Sequence, residues 1–218
     1  MTFTLQGESL TLFSERGVYW PKAQTLLVAD THWGKAATMR AAAIPVPGGT
    51  TVDDLSRLSR LLDRTGARRL VLLGDVIHAR QGRAPQTLAA VAEWRSHHHT
   101  LDILMIRGNH DRGAGDPPDE LNIRCCNAPV VEPPFVFQHF PTESPEGYTL
   151  AGHTHPAVKL HGKGRQRATL PCFLFTPRVG VLPAFGSMTG AAIVYPRPED
   201  QVFAIAEGEV VAVGEDLN

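Results

Sequence analysis

Seven residues able to hold a metal ion stand at, or within two positions of, the ends of short apolar runs. Asp30 ends TLLVAD, Asp75 ends LVLLGD and Asn109 ends LMIRGN, while His139 ends FVFQH and His153 ends YTLAGH. His32 and His155 follow two positions after Asp30 and His153. Residues i and i+2 of an extended segment point the same way, so each of those pairs can approach one centre. Seven oxygen and nitrogen donors on one edge are enough for two divalent cations. Asp and His suit Mn²⁺, Fe²⁺ or Zn²⁺, and the absence of cysteine from the set argues against a structural zinc site. Two close cations repel, and a shared carboxylate is the natural bridge between them.

The elements that must carry these residues can be read from the same runs. Each apolar run reads as a buried strand, and ligands of open α/β sheets gather just beyond strand carboxyl ends. Residues 2–13 read as two short strands joined at Gly7-Glu8, and 34–43 as an alanine-rich helix stopped before Pro45. After a loop over 46–51, Asp53 and Asp54 open a helix with Leu55, Leu58, Leu61 and Leu62 on one face. Its arginines, Arg57, Arg60 and Arg64, read as a solvated face. Strand 68–75, a helix over 86–98 and strand 102–108 continue the alternation of a layered α/β sheet. Beyond about residue 120 helical periodicity fades, and FVFQ, YTLAG, CFLF, AAIVY, VFAIA and EVVAV read as strands. The expected fold is therefore α/β, two sheets in a sandwich flanked by helices, in one domain spanning 1–218.

Bulk properties narrow the classes. A chain of 218 residues with 43% hydrophobic and 20% charged content reads as an ordinary soluble domain with a sizeable core. A net charge of −1 makes it no cationic sponge for nucleic acid, so polyanion binding would need a local patch or bound metal. Three cysteines, with Cys125 and Cys126 adjacent, do not make a disulfide framework. The start MTFTLQGESL shows no signal peptide, and no apolar stretch approaches bilayer length, which points to the cytoplasm and to no membrane partner. No phosphate-binding GxxxxGK loop occurs, and Ser187 lacks a hydrolase-elbow frame. Three adjacent histidines, His97-His98-His99, cannot all face one ion and read as solvated.

The ordered set D-x-H (30–32), G-D (74–75), G-N-H-D (108–111), His139 and G-H-x-H (152–155) resembles the calcineurin-like metallophosphoesterase superfamily. The words DTHWGKA (30–36), GDVIH (74–78) and VLPAFG (181–186) are most similar to its bacterial ligase-associated DNA endonuclease branch. The resemblance implies a four-layer α/β/β/α sandwich of two mixed sheets flanked by helices. It implies one metal on Asp30, His32, Asp75 and His155, and a second on Asp75, Asn109, His139 and His153. Asp75 would bridge, Mn²⁺ is the first expectation, and a water or hydroxide between the ions would be the nucleophile. His110 is then the general acid, oriented by Asp111, and its side chain points away from Asn109 if both lie on an extended turn. His78 helps place the phosphate and His110.

Lys35 and Arg40 are candidates for phosphate contacts near the first metal. Lys163, Arg165 and Arg167, in a basic stretch four residues beyond His155, could overhang the metal edge and hold DNA. The expected activity is endonucleolytic cleavage of single-stranded DNA in repair, beside an ATP-dependent DNA ligase, a helicase and an exonuclease. The alternatives are a small-molecule phosphoesterase acting on nucleotides or cyclic nucleotides, and a non-catalytic binding module. The intact ligand set weighs against the last.

Overall fold

The computed structural model describes residues 1–127, 129–161 and 167–214. Its first sheet runs in chain order: β1 (Thr2–Leu5), β2 (Glu8–Phe13), β3 (Gly17–Trp20), β4 (Thr25–Val28), β5 (Arg69–Leu72), β6 (Asp102–Ile106) and β7 (Arg124–Cys126). β1 to β4 pair antiparallel through short turns, whereas β4 to β7 are parallel. Parallel neighbours need crossovers. These are α1 (Lys35–Ala41) with α2 (Thr50–Thr65), then α3 (Pro85–His97), then the short α4 (Asn109–Ala114).

Alternation along the strands sorts the core into two layers. Leu26 and Val28 of β4 face the helices with Leu70 and Leu72, meeting Leu55, Leu58, Leu61 and Leu62 of α2 and Val91 and Trp94 of α3. Leu27, Val71, Leu104 and Ile106 point the other way, onto Phe135, Phe137, Leu150, Phe173, Phe175 and Phe203. Each such fully buried side chain contributes about 2 kcal/mol of transfer free energy. That second layer joins the first sheet to the second.

The second sheet comprises β8 (Val130–Glu132), β9 (Phe135–Phe137), β10 (Tyr148–Ala151), β11 (Pro156–His161), β12 (Arg167–Phe175), β13 (Val179–Val181), β14 (Ala192–Ile193), β15 (Gln201–Ala206) and β16 (Glu209–Val213). Its order is β14-β11-β12-β13-β10-β9-β8, with β15 on β12 and β16 on β15. Parallel β9, β10 and β13 sit among antiparallel neighbours, so both sheets are mixed, as expected. The flanking α-helices among the described residues all lie before residue 115. The far face of the second sheet carries a small cluster of its own, Val158, Cys172, Val202 and Ala204, packed with Leu160, Leu174 and Val213. No described α-helix supplies the fourth layer there. None of the described helices is long and apolar enough to cross a membrane.

Several sequence expectations are corrected. Arg57 is no solvated residue: it pairs with Asp54 at 2.9 Å and lies 4.3 Å over the Phe185 ring. His98 is half-buried, bonded to Ser59 Oγ at 2.8 Å against Trp94, because α3 packs there on α2. Residues 109–111 open α4 rather than an extended turn, because the Asp111 carboxylate accepts from Gly108 N–H at 2.9 Å and turns the chain. AAIVY yields only the two-residue β14.

Candidate metal centre

The ends of β4, β5, β6, β9 and β10 converge on one edge, and beyond each the chain leaves extended geometry. Asp30, His32, Asp75, His153 and His155 hold φ of 53°, 44°, 51°, 75° and 50°. Each of these left-handed conformations costs a non-glycine residue on the order of 1 kcal/mol. Backbone bonds between the converging ends hold the arrangement: Asp30 N–H to Gly74 O (3.1 Å), His32 N–H to Asp75 O (2.9 Å) and Gly152 N–H to His139 O (3.1 Å). Close approach makes two glycines obligatory. A Cβ on Gly74, itself at φ 84°, would lie 2.3 Å from His139 Nδ1, and one on Gly108 would lie 2.1 Å from Asp75 Oδ1.

Two carboxylate-bearing groups of donors result, beside a third made of histidines alone, His32, His78 and His110. In the first, one ligand atom each from Asp30, His32 and His155 lie within 4.8 Å of one another; in the second, so do those of Asp75, His139 and His153. Asp30 Oδ1, His32 Nε2 and His155 Nε2 are buried and have no hydrogen-bond partner. Such orphaned donors are costly unless a cation takes them, so the residues fit a divalent ion. The remaining atoms of these side chains are held in place. Asp30 Oδ2 accepts from His153 N–H at 2.8 Å. His32 Nδ1 and His78 Nδ1 are 3.2 Å apart, so one must carry the proton. If His32 Nε2 keeps its lone pair for an ion, His32 Nδ1–H donates to His78, and His78 presents Nε2–H outward.

The second group is crowded with acceptors. His139 Nδ1–H donates to Leu73 O at 2.9 Å, which fixes the tautomer and leaves Nε2 as the free position. Around that nitrogen lie Asn109 Oδ1 at 3.1 Å, His153 Nδ1 at 3.1 Å and Asp75 Oδ1 at 3.5 Å. Asn109, the seventh candidate ligand, thus joins this group. Burial raises the Asp75 carboxyl, but the hydrogen bond and charge of His139 and the His110 N–H outweigh it and bring it down to about 2. Burial pulls His139 down, yet the bond and charge of Asp75 leave it above its usual value. His32 is driven down to about 3 and His78 to about 4, chiefly by burial, and burial lowers His153 too. Neutral imidazoles are what a metal site requires.

On the flank of the first group, the His110 ring stacks on His78 at 4.7 Å and stands 5.0 Å from His32. Its Nδ1–H donates to His78 O at 2.7 Å, so Nε2 is the position that can take up and release a proton. That atom lies 3.9 Å from Asp75 Oδ2. Asp111 does not orient the ring, as the sequence had suggested. Its Oδ1 accepts from Val76 and Ile77 N–H at 2.9 and 3.0 Å and its Oδ2 from Gly108, so the carboxylate is consumed in shaping the loops under Asp75.

Half-buried Lys35, its ammonium pKa lowered by burial, is close enough for its charge to depress His32 and His78. Arg40 is exposed at the end of α1 and donates to Pro47 O at 3.2 Å, away from the donor groups. Lys163 and Arg165 lie outside the described residues. Arg167 is exposed where β12 begins, paired with His161 at the far end of β11. Six residues of strand separate that point from His155, about 20 Å at the rise of extended chain.

The sequence did not point to what supports Asp30 from behind. Residues 182–186 leave β13 and cross to the first sheet, with Phe185 N–H donating to Ala29 O at 2.7 Å and Gly186 N–H to Asp30 O at 3.0 Å. Arg16 donates to Ala184 O at 3.0 Å, and Arg57 donates to Phe185 O. The buried Asp54 carboxylate accepts from Ser187 N–H at 3.1 Å. The traces in the sequence are the word VLPAFG itself and Asp54 and Arg57 at i,i+3 on the leucine-bearing side of α2.

The calcineurin-like phosphoesterase family model matches residues 23–172, which hold every candidate ligand. The chain belongs to the calcineurin-like phosphoesterase family. Among solved structures, nuclease MPE of Pseudomonas putida is 41% identical over 98% of this chain and 99% of its own, with a TM-score of 0.86. The Escherichia coli phosphoesterase Yfce is 16% identical over 86% of this chain and 96% of its own, with a TM-score of 0.42. A search of curated proteins gave no match.

Proposed function

We propose that this phosphoesterase is a two-metal phosphodiesterase that cuts DNA, with single strands as its preferred substrate. The observation that carries the reading is the pair of donor groups on one edge with the His110 imidazole beside them. Asp30, His32 and His155 would hold one ion and Asn109, His139 and His153 the other, with Asp75 between. When bound, two such ions supply Lewis-acid chemistry, drawing charge from phosphoryl oxygens and making water a nucleophile near neutral pH. The mixed oxygen and imidazole set without thiolate favours Mn²⁺, with Fe²⁺ and Zn²⁺ as alternatives.

The chain's own residues then divide the remaining work. His110, anchored through Nδ1, delivers a proton from Nε2 to the departing alkoxide, a step that DNA esters need and activated aryl esters do not. His78, kept neutral by burial, offers Nε2–H to a phosphate oxygen, and Lys35 adds a positive charge on the same flank. Asp111 holds Gly108 and the residues after Asp75, so it acts through position alone. The likeness to a nuclease over nearly the full length of both chains supports DNA as the substrate. We place the activity in cytoplasmic DNA repair, in company with an ATP-dependent DNA ligase, a helicase and an exonuclease.

The test is to strip purified protein of metal, reload it with Mn²⁺, Mg²⁺ or Zn²⁺, and offer circular single-stranded DNA, duplex DNA and cyclic nucleotides. Cleavage of the closed circle with Mn²⁺ is expected, and closed circles exclude an exonuclease. Turnover of cyclic nucleotides with intact circles would overturn the DNA reading in favour of a small-molecule phosphoesterase.

A further inference from the structure

Phe140 follows the candidate ligand His139 directly and remains 38% exposed, whereas Phe135, Phe137, Phe173, Phe175, Phe185 and Phe203 are buried. Its ring meets His153 at 4.7 Å and His139 at 4.9 Å, in edge-on arrangements with interplanar angles of 63° and 70°. The segment carrying it is tied down. Gln138 Nε2 donates to Phe140 O and Thr142 O, both at 2.8 Å, and Thr142 N–H returns to Phe140 O at 2.8 Å. An aromatic ring held rigidly beside two ligands, with over a third of its surface in water, does not owe its place to core packing.

The donors it borders belong to the group with Asp75, whereas Lys35, His78 and His110 flank the other group. A phosphodiester lying across the edge would thus meet cationic and proton-carrying side chains on one side and a flat apolar face on the other. A nucleotide presents a phosphate and a flat base, in that complementary order. We infer that Phe140 is a stacking platform for the nucleobase next to the bond that is cut. The inference rests on the DNA reading above and adds to it a reason for preferring single strands, since bases stacked inside a duplex have no free face to offer.

Base-on-aromatic stacking requires bases but no particular sequence, and its loss should cost about tenfold in affinity. The measurement compares cleavage of an oligothymidylate with cleavage of an equally long strand of abasic residues, in wild type, Phe140→Ala and Phe140→Trp. The wild-type preference for the base-bearing strand should fall about tenfold in Phe140→Ala and persist in Phe140→Trp. A second readout does not depend on turnover. Trp20, Trp33 and Trp94 are buried, at 5%, 2% and 6% exposure, so a tryptophan at 140 would be the exposed one among the described residues. Its emission should be quenched by the oligothymidylate but not by the abasic strand, measured in a His110→Ala background so that the strand survives.

An unchanged strand preference in Phe140→Ala, with wild type cutting DNA normally, overturns the stacking role alone. Equal losses on both strands would make Phe140 a support for His139 and His153 and overturn it as well. A wild type that leaves both strands whole while hydrolysing bis-p-nitrophenyl phosphate would overturn the DNA reading and this inference together.

Discussion

The two donor groups differ in what their atoms do to one another. Around Asp30, His32 and His155, three buried donor atoms make no hydrogen bond, the His155 Nε2 to Asp30 Oδ1 approach being 3.5 Å, and their positions are set by the atoms behind them. Around Asp75, His139, His153 and Asn109, the donors lie 3.1–3.5 Å from the same imidazole nitrogen. A cation meets the first set without displacing any hydrogen bond. In the second it must replace contacts and the proton that Asp75 encourages His139 to hold. Pre-organisation therefore favours the first group as the tighter ion site, and Asp75 is the residue through which the two would be coupled.

The largest effect should come from removing that coupling. Asp75→Ala takes the carboxylate from His139 and from the neighbourhood of His32, and it also frees the His110 N–H that bonds Asp75 Oδ1 at 2.9 Å. Hydrolysis of every phosphoester should fall by at least about 10³-fold, equivalent to about 4 kcal/mol of barrier. Elemental analysis should show a loss of both ions. A variant retaining two ions and appreciable turnover would mean that the groups are independent and that Asp75 bridges nothing.

Next in size is His110→Ala, which alters the flank of the first group and no ligand. Cleavage of DNA should drop by about 10²-fold or more. Bis-p-nitrophenyl phosphate should be much less affected, because nitrophenolate leaves without a proton. Equal losses on the two substrates would make His110 a positioning residue.

The comparison itself is tested by metal titration. Calorimetry with Mn²⁺ should resolve two steps, with His32→Ala removing the tighter and His153→Ala the weaker. Each lost ligand should cost roughly 10–100-fold in affinity for its own step, the scale seen even for residues that only orient ligands. Two indistinguishable steps, or loss of the tighter step in His153→Ala, would break the proposed asymmetry.

How much of this was legible follows from which residues carry local signals. The candidate ligand positions could be picked out because a short apolar run followed by Asp, Asn or His marks a buried strand and its end at once. The helix α2 could be read from the spacing of its leucines. β3, β7, β8, β11 and β13 passed unnoticed, because three or four residues such as GVYW, or a strand starting at Pro156, give too short a pattern to register. The structure of α4 was also hidden. Its NHDRGA sequence has little helical propensity, and Asp111 begins the turn by capturing Gly108 N–H. The role of Asp111 as a backbone clamp depends on Val76 and Ile77, which are 34 or 35 positions away in sequence. Arg57 looked solvated for the same reason, since Phe185 is 128 residues distant.

That last contact yields the smallest effect, and one centred on a single group. Asp54 and Arg57 hold the segment 184–187, and this segment holds Ala29 and Asp30 through two backbone bonds. Asp54→Ala would leave the Arg57 guanidinium without its 2.9 Å partner and the Ser187 N–H without its acceptor. Breaking a largely buried pair in this way costs about 3 kcal/mol, and about 10 °C of melting temperature for a chain of this size. Asp54→Asn, which keeps an acceptor for Ser187, should recover part of that loss. Because segment 184–187 bonds Ala29 and Asp30 directly and meets the second group only through the bond from His153 N–H to Asp30, the tighter metal step should weaken by about tenfold while the weaker step changes much less. The check is thermal melting alongside the same Mn²⁺ titration. A melting shift with neither step changed would make the Asp54–Arg57 pair a fold element only. An equal change in both steps would mean that the two halves of the centre share their support after all.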